Sequence, residues 1–140
     1  MTLVGPVDAD LEVTLSTTDA DFVVKLIDVW PDNTEYPGYQ MLVRGDIMRG
    51  RYRRSFSAPE PFTPGEPTEV AFTMPDIAHT FRKGHRIMVQ VQSSWFPLAD
   101  RNPQQFVDIY RCAASDFIPC DVRIYHDRRR PSRLEVLRLR

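Results

Sequence analysis

The feature that most restricts this chain is the way proline cuts its apolar residues into short alternating runs. Twelve prolines stand against six glycines, most of the prolines between apolar stretches. Proline removes a backbone donor and breaks both helix and ladder, so such a chain is confined to short strands joined by long loops. No amphipathic pattern longer than two helical turns occurs. Leu11, Val13 and Leu15 alternate with Glu12 and Thr14, the mark of a half-buried strand. Phe22 to Val29 is nearly continuous and β-branched, broken only by Lys25 and Asp28, and reads as a central strand. It ends at the turn-forming run Trp30-Pro31-Asp32-Asn33. Tyr39 to Arg44 is the next strand, continued past a bend at Gly45 to Tyr52. Ser57 to Pro67 carries four prolines and reads as an extended connection.

Val70, Phe72 and Met74 alternate again, and Pro75 to Lys83 reads as irregular, with at most one helical turn before Gly84. Ile87, Val89 and Val91 alternate with Met88, Gln90 and Gln92, the clearest half-buried strand of the chain. Val122 and Ile124 mark a late strand. From about residue 127 the tail is irregular, through the basic turn Arg128 to Pro131, and Leu134 to Leu139 forms the last strand. About eight short strands predict an all-β fold. It is an antiparallel β-sandwich of the jelly-roll kind, one domain over 1–140, whose long connections cross between sheets.

Composition narrows the function. Eighteen basic against 19 acidic residues give a net charge of −1, which offers no electrostatic hold on nucleic acid or an anionic membrane. The longest apolar runs are far too short to span a bilayer. Met1 to Asp10 has no basic segment followed by an apolar one, so the default expectation is the cytoplasm, with the compartment unknown if the chain is a fragment of a secreted parent. Cys112 and Cys120 fit no zinc spacing and read as free, partly buried thiols.

A search for chemistry finds none. No serine sits in a Gly-x-Ser-x-Gly elbow, and six scattered glycines build no phosphate cradle. His79, His85 and His126 show no ligand spacing, so neither a metal nor a cofactor is expected. Ser94, His85 and Asp100 have the residue types of a triad, but nothing in their spacing supports one. Asp19 and Asp21 form a carboxylate pair without the further oxygens of a calcium loop, and read as a turn whose side chains bond backbone amides. Arg49, Arg51, Arg53 and Arg54 read as a solvated strand edge that discourages aggregation. Trp95 and Phe96 follow a strand directly and suit either a core plug or an exposed contact surface. Asp100, Arg101 and Asn102 follow as a polar cluster.

Three segments resemble a known family. They are Asp19 to Val29, Gly38 to Arg51 and Gly84 to Pro97, continued by Asp100 to Gln104 and Val122 to His126. Together they are similar to the C-terminal, galactose-binding-domain-like jelly roll of the Xaa-Pro dipeptidyl-peptidase-like hydrolases. That group includes α-amino acid ester hydrolases, glutaryl acylases and cocaine esterase. The resemblance implies a non-catalytic domain that packs on an α/β-hydrolase domain lying before residue 1. The serine triad would belong to that other domain. It also implies that Asp19, Asp21, Phe22, Trp95, Phe96, Asp100, Arg101 and Asn102 face the partner domain or border its cleft. A homodimer of the isolated chain is a further expectation. The alternatives are a stand-alone carbohydrate-binding module, with Trp95 as its stacking platform, or an oligomerisation domain.

Overall fold

The computed structural model describes all 140 residues and contains seven strands. These are β1 (Thr2–Leu15), β2 (Asp21–Val29), β3 (Gln40–Arg49), β4 (Thr68–Thr80), β5 (Arg86–Gln92), β6 (Val122–Ile124) and β7 (Arg133–Arg138). All pairings are antiparallel. One sheet runs β4-β1-β6, with β7 also on β1, and the other runs β3-β2-β5. The fold is thus the all-β sandwich that the alternation predicts, with seven strands instead of eight.

Period-two chemistry explains the core. Leu3, Val7, Ala9, Leu11, Val13 and Leu15 point inward from β1, and Phe22, Val24 and Leu26 point inward from β2. Val70, Met74 and Ile77 of β4 and Met48 of β3 complete the cluster, with Phe62 and Phe81 plugging it from the loops. β2 is the central strand of its sheet, and apart from Lys25 all its residues are buried, as its near-continuous apolar run requires.

Two expectations are corrected. Pro75 to Lys83 is not irregular, because β4 continues through Pro75 to Thr80. Gly5 pairs with Ile77 and Val7 with Met74, so Pro75 and Asp76 together oppose Pro6. A bulge leaves a residue unpaired, and that is where a strand tolerates a proline. β1 likewise reaches back to Thr2, through Gly5 at φ 83°. The second correction concerns β3, which ends at Arg49, where Gly50–Tyr52 forms a short 3-10 turn.

Candidate functional site

The most heavily charged interior of the molecule lies where β2 begins. Asp19, in the turn before β2, and Asp21, its first residue, are both fully buried. Their side chains do not bond backbone amides as the turn reading expects. Arg51 donates from Nε (2.8 Å) and Nη2 (2.6 Å) to Asp19 Oδ2, and Arg49 Nη1 lies 3.3 Å from Asp21 Oδ2. Asn102 Nδ2 bridges the pair, donating to Asp19 Oδ2 at 3.0 Å and Asp21 Oδ1 at 2.9 Å. Burial raises the Asp21 carboxyl to about 6, against the opposing pull of the Asn102 amide and the Arg49 guanidinium.

The arginine stripe is therefore not a solvated edge. The 3-10 turn carries the chain inward, so Arg51 is buried and Arg49 is half-buried, while Arg54 alone of the four is exposed. A buried carboxylate needs a partner, and these guanidinia supply it.

What the cluster grips is the long segment after β5. Arg51 Nη1 donates to the Val107 carbonyl at 2.8 Å, and Arg49 Nη2 to that of Asp100 at 3.4 Å. The Phe106 amide donates to Thr18 Oγ1, and the Gln104 amide to Asn102 Oδ1. Gln104 sits at φ 67°, a left-handed conformation that a non-glycine residue adopts only where its surroundings impose it. Outside this anchored base, the loop shows apolar groups to solvent. Phe96 is 66% and Leu98 71% exposed, and Tyr110 and Phe117 are exposed as well.

The remaining expected site residues divide by position. Phe22 lies in the core against Phe62, with ring centroids 6.2 Å apart. Trp95 is half-buried on the outer face of β2–β3. The Lys25 ammonium lies 4.6 Å from its ring centroid, and ring atoms cover Gly45. Asp100 and Arg101 are exposed, with the Arg101 guanidinium 5.2 Å from the Phe117 ring. No triad assembles from Ser94, His85 and Asp100. His85 Nδ1 is bonded to Asp28, and Ser94 Oγ accepts from the Phe96 amide.

A second buried carboxylate escaped the reading of the sequence. Asp28, near the other end of β2, accepts from His79 Nε2 at 2.9 Å and His85 Nδ1 at 2.8 Å. His79 belongs to β4, so this contact clasps the two sheets together. Trp30, Thr34 and Arg82 join them around a cavity of about 440 Å³. No group of three or more His, Cys, Asp or Glu side chains is placed to hold a metal ion. Cys112 and Cys120 are unpaired thiols, half-buried.

With this geometry in view, comparison with known proteins is decisive. Residues 1–135 match the family described as the X-Pro dipeptidyl-peptidase C-terminal non-catalytic domain. The chain belongs to this family. It is 45% identical over 98 residues to a cocaine esterase of Rhodococcus sp. (strain MB1 Bresler), a match that takes in 70% of this chain and 16% of the esterase. Its fold superposes with a TM-score of 0.93 on an aminopeptidase from the marine sediment archaeon Thaumarchaeota archaeon, at 42% identity over 97% of the chain and 23% of the aminopeptidase. An α-amino acid ester hydrolase superposes at 0.91, again at 42% identity, with 96% and 23% covered. This PepX-type C-terminal domain is non-catalytic and spans about a quarter or less of each of these relatives.

Proposed function

We propose that this domain packs on the α/β-hydrolase domain of a serine hydrolase acting on esters or amides, and that its 93–106 loop helps shape the entrance to that enzyme's active site. One observation carries the reading. The loop shows Phe96 and Leu98 to water, yet a network of five charged and amide side chains, four of them buried, fixes its base. Exposed apolar side chains on a rigid support suit a docking surface, because little conformational entropy is lost on contact. Asp19, Asp21 and Asn102 then act from beneath, as positioning residues, while Phe96, Leu98 and Arg101 meet the partner. The carbohydrate reading is weaker, since the Trp95 ring is already engaged by Lys25 and Gly45.

The test has two arms. The isolated chain treated with a fluorophosphonate should remain unlabelled and should not hydrolyse aryl esters. In the intact hydrolase carrying this domain, Phe96→Asp with Leu98→Asp should lower kcat/KM for a bulky ester about tenfold, equal to about 1.4 kcal/mol of lost contact. Covalent labelling of Ser93 or Ser94 in the isolated chain would place the chemistry here and end the proposal. An unchanged kcat/KM in the double variant would remove the loop from the entrance.

A further inference from the structure

The sandwich is closed along one side and open along the other. On the closed side β3 faces β4, and Arg44 Nη2 donates to the Asp76 carbonyl at 2.6 Å. There the inner-face residues Val70, Met74, Ile77 and Met48 are buried. On the opposite side β5 faces β6 and β7. Register fixes which side chains point inward. Val91 pairs with Val24, Val89 with Leu26 and Ile87 with Asp28, so all three share the core face of β2. Val122 pairs with Leu15 and Val136 with Val7, which places them on the core face of β1. Yet Ile87 is 47% and Val89 44% exposed, and Val122 and Val136 are exposed too. A cavity of about 420 Å³ opens between β5 and β6, lined by Phe22, Val91, Val122 and Ile124 among others.

The strand with the clearest inward apolar pattern in the sequence is therefore covered at Val91, which packs on the core, and left open on that face at Ile87 and Val89. Its other edge is equally free, because β5 pairs only with β2. Every second amide and carbonyl of such an edge points away from its neighbour, unpaired. Edge strands that face water carry charge or proline, and β5 has neither after Arg86. β3, the other edge of the same sheet, turns Arg44 and Asp46 toward its inner side and is protected. In the facing sheet β7 and β6 follow one another along the same flank of β1, at Leu3–Asp10 and Val13–Leu15, so both sheets are three strands wide and both end at this mouth.

We infer that an eighth strand pairs with β5 and closes this mouth, and that it is supplied by the remainder of the hydrolase polypeptide. The occupant is an extended segment with alternating apolar residues, laid over Ile87 and Val89 on one side and Val122 and Val136 on the other. The inference rests on the hydrolase reading above, since three quarters or more of each relative lies outside the matched region. It adds a second point of attachment, distinct from the 93–106 loop. A second copy of this chain pairing edge to edge is the competing occupant.

The experiment compares the isolated chain with a chimaera in which it replaces the matching segment of the Rhodococcus cocaine esterase. Amide exchange in β5 should slow at least a hundredfold in the chimaera. Val89→Asp should lower the chimaera's Tm more than it lowers that of the isolated chain, where residue 89 already meets water. An active chimaera with unprotected β5 amides and a Tm indifferent to Val89→Asp would overturn the strand while leaving the hydrolase reading intact. Concentration-dependent protection in the isolated chain, with dimers removed by Val89→Asp and β5 still exposed in the chimaera, would assign the edge to a second copy instead. The isolated chain gives a further measurement, needing no chimaera. A seven-residue peptide alternating threonine and valine should shift the β5 amide resonances and leave those of β3 in place. No shift at β5 would count against the proposal.

Discussion

Asp21→Asn offers a direct measurement of what the buried cluster costs. The carboxyl rises from its ordinary value of 3.8 to about 6, chiefly through burial. A raised acid binds more protons folded than unfolded between those two values, so its contribution to stability declines as pH climbs from 4 to 6. The interval of about 2 pH units corresponds to roughly 3 kcal/mol, at about 1.4 kcal/mol for each unit. Urea unfolding of both proteins at half-unit steps from pH 4 to 8 isolates this group, because His79, His85 and His126 are common to both. The native chain should lose roughly 3 kcal/mol more than Asp21→Asn between pH 4 and 7. An amide keeps an oxygen for Asn102 Nδ2, so the fold should survive the change. A carbon-detected titration of Asp21 should have its midpoint near 6. Parallel stability curves for the two proteins would refute the reasoning, showing that Arg49 and Asn102 compensate the burial in full.

Two further outcomes follow from the packing. Arg51→Ala strips Asp19 of its guanidinium and frees the Val107 carbonyl, and should cost about 3 to 5 kcal/mol by chemical denaturation, the range for a buried carboxylate left alone. Gly45→Ala would bring a methyl to 2.8 Å from the Trp95 ring. It should cost about 1 to 3 kcal/mol and shift the Trp95 fluorescence to the red, because the ring must lift from β3.

Much of the sandwich is legible in the sequence because strand alternation is local. Leu11, Val13 and Leu15 announce their face with no knowledge of what covers it, and the same rule assigns β5. Pro75 misleads for the opposite reason. A proline ends a regular ladder, and only the register between β1 and β4 reveals that a bulge receives it. The site is less legible. Asp19 and Asp21 look like turn formers until Arg51 and Asn102, 32 and 83 residues beyond Asp19, close around them. Spacing along the chain carries no trace of such distant partnerships. The clasp of Asp28 with His79 and His85 was hidden likewise, since its members come from two strands and a loop. The resemblance to a hydrolase family did locate the region around Asn102, but as an outward surface. In the folded chain that asparagine works from inside.

The shared carboxylate of Asp28 also dictates the proton arrangement of two rings. An ionised carboxylate can only accept, so His79 must carry its hydrogen on Nε2 and His85 on Nδ1. The bare lone pairs are left on the far nitrogens, His79 Nδ1 and His85 Nε2. The clasp thus holds each imidazole in a single tautomer, and the two rings turn opposite nitrogens toward one carboxylate.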